Sequence, residues 1–172
     1  MKKLYLLVSV LSCASLSHAQ ENSMLPEAKL KDAKVSTWNV GAGFTKKIVH
    51  GNVEWVNPYG IAYAKAGVFL NDDNDVGGQV GFRYPYHLTG KDYNGYYVGA
   101  YAGHVETVGI EGKEEARLGA GIDLSYVMLD TNRISTFGIG IGVGEALKTS
   151  QGKTIEKAEP VLQCAYSLSF GL

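Results

Sequence analysis

The chain has little of several things, and each shortage narrows what it can be. Nowhere has it an apolar run of the ~18 needed to cross a bilayer as a helix, its first residues included, so any spanning would have to be done by strands. It has 2 cysteines in 172 residues. If Cys13 leaves with the N-terminal segment, Cys164 is left alone, which excludes an intramolecular disulfide or a thiolate metal cage. It has no Lys/Arg-rich stripe, and 16 basic side chains stand against 17 acidic. Loss of Lys2 and Lys3 leaves 14 − 17 = −3, a balance that argues against a nucleic-acid partner. From Val35 onward a long helical period is also missing.

The start of the chain reads as a signal. Lys2 and Lys3 precede the apolar run Leu4 to Leu11, and Ser17-His18-Ala19 offers small residues for cleavage after Ala19. This is the pattern of a secretory signal peptide over 1–19. Cys13 suggests a lipoprotein box as an alternative, but Leu11 fits that box poorly. Residues 20–34 are polar with scattered apolar positions and are expected to form a periplasmic leader outside the fold proper, which would occupy 35–172.

Short alternating runs broken by turn residues fill the remainder. In the last one, Leu162, Cys164, Tyr166, Leu168, Phe170 and Leu172 take every second position up to the terminus, with Gln163, Ala165, Ser167, Ser169 and Gly171 between them. Over 115–129, Ala116, Leu118, Ala120, Ile122, Leu124, Tyr126 and Met128 oppose Arg117, Gly119, Gly121, Asp123, Ser125 and Val127. Over 133–146, Phe137, Ile139, Ile141 and Val143 oppose four glycines after the turn Asp130-Thr131-Asn132. Near 76–84, Val76, Gly78, Val80, Phe82 and Tyr84 alternate with Gly77, Gln79, Gly81 and Arg83. Strands are also expected over 95–108, around Trp38 to Phe44, over Ile48–Val56 and over Gly60–Leu70. With the segment Ile48–Val56, which has the weakest pattern, the total is eight. Single-chain bacterial barrels favour even numbers.

The charges choose between two kinds of closed barrel. A soluble ligand carrier is apolar within and richly charged without. Here the less apolar face is mostly glycine with isolated Asn39, Gln79, Arg83, Arg117 and Asp123, which suits a narrow lumen. The prediction is an all-β, single up-and-down antiparallel transmembrane β-barrel of about eight strands. Arg83, His104, Glu106, Arg117 and Asp123 are expected to form a luminal polar network, and the apolar face of the last strand, Leu162 to Leu172, to meet lipid. Cys164 on that face reads as a small hydrophobe. Aromatic residues near strand ends, among them Trp38, Trp55, Tyr59, Tyr84, Tyr86, Tyr96 and Tyr126, suit an interfacial girdle.

As a pattern, the signal peptide, the alternating runs and the C-terminal strand resemble the small eight-stranded outer-membrane proteins of Gram-negative bacteria, the class that includes the transmembrane domain of outer-membrane protein A. The resemblance covers nearly all the mature chain and carries no family-specific motif. It implies an outer-membrane location, contact with outer-membrane lipids, and recognition of the C-terminal strand by the barrel assembly machinery. In that class the terminal residue is usually aromatic, whereas this chain ends Phe170-Gly171-Leu172.

With the C-terminus in the periplasm, residues 147–158, 110–113 and 71–75 fall outside the cell, and 130–132 and 85–94 fall in the periplasm. A connection as long as 85–94 is unusual there. Either it makes a periplasmic contact or the strand count is shifted by one. Other chemistry has weak signals. Asn71 to Asp75 fails the EF-hand spacing, because Tyr84 stands where the bidentate glutamate belongs. The glycines 138, 140, 142 and 144 lack the dinucleotide fingerprint. His104 and Glu106 on one face would suit a lipid-modifying hydrolase, but no motif places a serine, so enzyme activity is left open without catalytic residues. The reading is a monomeric barrel with a structural or envelope role, a mostly filled lumen and neither cofactor nor metal. A narrow pore and a soluble periplasmic lipid-binding barrel are the alternatives.

Overall fold

Alternation with a period of two sends successive side chains to opposite faces, and a sheet built wholly from such segments can bury its edges by closing on itself. In the computed structural model, which describes residues 26–70, 75–90, 92–110, 113–148, 154–156 and 159–172, it does so. The strands are β1 (Trp38–Thr45), β2 (Ile48–Asn57), β3 (Gly60–Phe69), β4 (Val76–Leu88), β5 (Gly95–Ile110), β6 (Lys113–Asp130), β7 (Arg133–Gly144), β8 (Leu147–Lys148), β9 (Thr154–Glu156) and β10 (Pro160–Gly171). Eight of them form a closed antiparallel barrel in the order β1-β10-β7-β6-β5-β4-β3-β2, and β8 pairs with β9 as a separate two-stranded ribbon. The first and last barrel strands meet over Asn39↔Gly171 to Thr45↔Ala165. The segment 1–19, Cys13, the first part of the 20–34 leader, and Asn71 to Asn74 lie outside the described residues.

The least periodic segment of the sequence became a full strand. On β2, Ile48, His50, Asn52, Glu54 and Val56 point inward, and Val49, Gly51, Val53 and Trp55 outward. Its weak pattern has a physical reason: the inward face is polar in the middle and apolar only at its two ends.

The exterior is apolar. Val40, Phe44, Val53, Val80, Phe82, Leu118, Ile122, Leu124, Phe137, Ile139, Ile141 and Leu162 are all more than a third exposed. Among the described strand side chains, outward-facing Asp, Glu, Lys and Arg are confined to Asp130 and Arg133, which flank the two-residue turn 131–132. Aromatic side chains collect outside toward one end. Trp38 stacks on Trp55 with centroids 6.1 Å apart, and Tyr96 meets Tyr126 edge-on at 5.2 Å.

That end also holds the start of β1, the end of β10 and the connections 58–59, 89–94 and 131–132, and is here called the terminal end. At the opposite, distal end β1, β3, β5 and β7 finish and β2, β4, β6 and β10 begin. Two expectations change at the terminal end. Pro85 to Leu88 belong to β4, so the connection spans 89–94 and is shorter than the expected 85–94. Pro85 is accommodated at a register shift between Pro85 and His87, as a residue without an N–H must be inside a sheet.

The described part of the polar leader is not outside the fold. Leu30 is 4% exposed and packs with Val56, Ile61, Tyr97, Val127, Leu129 and Ile134. Around it, Leu30 N donates to Pro58 O (2.9 Å) and Ser36 N to Thr131 O (3.1 Å). Lys29 Nζ donates to Tyr86 O (3.1 Å). Residues 27–36 thus form a strap across the terminal mouth. One leucine among polar residues leaves little periodic signal, which is why the segment reads as a leader.

Candidate functional site: the barrel lumen

The buried charges of the described chain converge inside the barrel. Arg83 on β4 lies between two carboxylates, with Nε 3.2 Å from Asp123 Oδ2 and Nη1 3.7 Å from Glu54 Oε1. All three side chains are nearly water-free, at 3%, 9% and 1% exposure respectively. Ser125 Oγ donates to Asp123 Oδ2 at 2.5 Å. The Arg83 guanidinium rests 4.2 Å from the Tyr63 ring centroid, and Lys65 Nζ lies 4.8 Å from the same ring. One aromatic ring therefore meets two cations, whose compensating anions are Glu54 and Asp123.

A second cluster sits toward the distal end. Arg117 Nη1 donates to Glu106 Oε1 (2.7 Å), Nε to Glu145 O (2.6 Å) and Nη2 to Gly144 O (3.2 Å). Lys47 Nζ approaches Glu106 Oε2 more loosely, at 3.9 Å. Between the clusters, Gln79 Nε2 donates to His104 O (2.8 Å) and Gln163 Nε2 to Val105 O (2.7 Å). Nearer the terminal end, Asn52 Nδ2 donates to Ser169 Oγ (2.8 Å). Lys65, Arg83 and Arg117 balance Glu54, Glu106 and Asp123, so these buried strand charges sum to 3 − 3 = 0. Desolvated charges are tolerated only in such pairing, because an uncompensated one costs several kcal/mol.

Four of the five residues expected in a luminal network lie in these clusters, but as two sets: Arg83 with Asp123, and Arg117 with Glu106. His104 stands apart. The β5–β6 register shifts between His104 and Glu106, so the two do not share a face as simple alternation requires. Val105 takes the inward position at 3% exposure, and His104 Nδ1 accepts from Gly78 N (3.1 Å). That bulge separates the histidine from the carboxylate that a hydrolase reading would pair with it. Cys164 is exposed and unpaired on the outer face.

His50, Asn52 and Glu54 on β2 and Lys65 on β3 are luminal residues absent from the sequence reading. The signal for them was the alternation of these two strands, which becomes legible once Val49, Val53 and Trp55 of β2 and Ala64 and Ala66 of β3 are assigned outward.

Little space remains inside. The cavity between Tyr63, Lys65, Arg83, Tyr101, Asp123 and Gln163 is about 20 Å³, room for about one water. Luminal glycines are what let the large side chains fit. A Cβ at Gly142 would lie 2.7 Å from Tyr101 Oη, so an alanine there would displace the ring.

Fold and lumen together define a class: a small closed β-barrel, apolar outside and charge-paired within, sealed at one mouth by its own N-terminal strap. No protein-family model, curated protein or solved structure matches this chain. The functional reading therefore rests on its own geometry.

Proposed function

We propose that the chain is an integral outer-membrane β-barrel with a structural or envelope role and a lumen closed to solute flow. The observation that carries this is the inverted polarity of the wall. Strand side chains that would meet solvent in a soluble barrel are mostly Val, Leu, Ile, Ala, Phe, Tyr and Trp, and the described Arg, Lys, Glu and Asp side chains of the barrel strands, apart from Asp130 and Arg133 at a turn, are turned inward. A lipid-carrying soluble barrel needs the opposite arrangement. In a bilayer the same exterior is favourable, since a charge at mid-depth costs ~2–4 kcal/mol. The Trp38–Trp55 and Tyr96–Tyr126 pairs would sit at one interface, with the terminal end in the periplasm and β10 presented to the assembly machinery.

The test is a fractionation. The expected result is flotation of the folded protein with outer membranes, extraction only by detergent, and different migration on gels before and after boiling. Recovery in a detergent-free soluble fraction would overturn the reading. The pore alternative fares worse against the geometry, because Leu30, Ile61, Tyr97, Val127 and Ile134 close one mouth and Arg83 crosses the middle. Purified protein in planar bilayers is expected to give no ohmic current steps.

A further inference from the structure

The barrel wall is not equally tall all round. Five residues of β10, Pro160–Cys164, run past the tip of the β1–β2 hairpin: β7 pairs with each of them, whereas pairing with β1 stops at Thr45↔Ala165. The shortfall leaves a notch in the distal wall beside the seam of the barrel. A cleft of about 280 Å³ occupies it, with Val105, Glu106 and Gln163 from the lumen as its floor, Lys46 and Lys47 on one side, and Leu162 on the other. Luminal, basic and exterior apolar side chains meet there in one concavity.

We propose that this cleft binds the phosphate headgroup of an anionic lipid through Lys46 and Lys47, with an acyl chain leaving along Leu162 onto the apolar exterior. Charge supports it: in the lining of the cleft Lys46 and Lys47 stand against Glu106 alone, 2 − 1 = +1. Glu106 is already engaged by Arg117 at 2.7 Å, and Lys47 is left at 3.9 Å with its side chain 45% exposed. Lys46 is exposed and makes no ion pair among the described residues.

The turn that carries the lysines is held in place before any ligand arrives. Lys47 N (3.2 Å) and Ile48 N (3.0 Å) both donate to Thr45 Oγ1, and Leu70 N donates to Lys47 O (2.7 Å). Backbone ordering that exists beforehand is not subtracted from affinity. Leu162, 64% exposed beside them, gives a tail something to cover, which a free phosphate would not use. A neutral amphiphile would not use the lysines.

This inference takes its lipid supply from the membrane reading above, but its test does not. Native mass spectrometry of the folded barrel released from a neutral maltoside detergent, titrated with short-chain phosphatidic acid, reads binding directly. The expected result is one retained phosphatidic acid per barrel, and much weaker retention of the matching diacylglycerol. Lys46→Gln should weaken binding about fivefold, and the pair Lys46→Gln with Lys47→Gln about 25-fold, the increments usual for lysines facing anionic lipid. Leu162→Ser should weaken it too.

Three results would overturn the proposal: unchanged retention by the double variant, equal retention of diacylglycerol, or displacement by inorganic phosphate at matched concentration, which would mark a free-anion site. Folding of each variant is checked by migration before and after boiling. If the double variant does not fold, Lys46→Gln alone decides, since that side chain has no described ion pair to lose. Failure of flotation would sink the membrane reading, whereas failure here with flotation intact would sink only the lipid site.

Discussion

At the terminal end of the barrel a leucine on a strap is pressed into a cluster of Val56, Ile61, Tyr97, Val127, Leu129 and Ile134. At the distal end the lumen is tied by Arg117, Glu106 and Lys47, and the wall beside them is notched. One end is sealed by apolar packing, which is indifferent to direction. The other is held by charges that demand partners in fixed geometry and leave part of their surface open. The difference teaches where this lumen is closed by packing and where its charges are left partly open. An apolar plug excludes water and ions but recognises nothing, whereas an ion-paired mouth with spare positive charge can bind an anion.

The sharpest way to break the comparison is at the centre, where neither end governs. Arg83→Ala would take from Glu54 and Asp123 the one described side chain in ion-pair range of both, leaving Lys65 as the remaining cation nearby, and a buried pair broken from one side costs ~3–5 kcal/mol. Urea unfolding in detergent should show a loss of that size, or failure to fold. A shift below ~1 kcal/mol would mean that the lumen admits enough water to solvate both carboxylates.

Leu30→Ala tests the plug. Large-to-small changes in a packed cluster cost ~2–5 kcal/mol, and the value expected here is at the lower limit because the strap can settle toward the barrel. No conductance is expected to appear, since Ile61, Tyr97, Val127 and Ile134 remain. Current steps in this variant would show that Leu30 alone closes the mouth. Arg117→Ala probes the opposite end and should cost ~2 kcal/mol, less than Arg83→Ala. Glu106 is 15% exposed and keeps Lys47 within 3.9 Å, so its charge is not stranded. Equal losses from the two arginine variants would remove the distinction between centre and rim.

Much of this architecture is legible in residue order. Period-two runs such as Leu162 to Leu172 and Ala116 to Met128 mark strands and faces because one face is uniformly apolar, and a one-residue slip would turn every side chain the wrong way. Eight strands, their closure and the inward direction of Arg83, Arg117 and Asp123 follow from that. What stayed hidden depends on contacts distant in sequence or on local breaks in the period. The bulge at Val105 turns His104 away from Glu106 without changing composition. Leu30 becomes core only because residues far along the chain surround it. The notch beside β10 arises from unequal strand lengths, set by where Thr45 ends one ladder and Pro160 begins another, and no single segment contains that information.

The smallest expected effect sharpens the comparison most. Asp130 and Arg133 flank the turn 131–132 with Arg133 Nη2 3.9 Å from Asp130 Oδ2, and their side chains are 68% and 59% exposed. Their separation is close to that of Arg83 and Glu54 at 3.7 Å, yet water surrounds one pair and protein the other. An exposed pair is worth ~0–1 kcal/mol, and salt screening reduces that further. Asp130 Oδ1 also accepts from Thr131 N at 2.8 Å, a bond the amide oxygen of asparagine can keep. Asp130→Asn is therefore expected to leave the urea midpoint unchanged, at low salt as at high. A clear loss at low salt that disappears in high salt would show that this turn is held by its charges. The contrast between the barrel's interior and its rim would then rest on ionic strength as well as on burial.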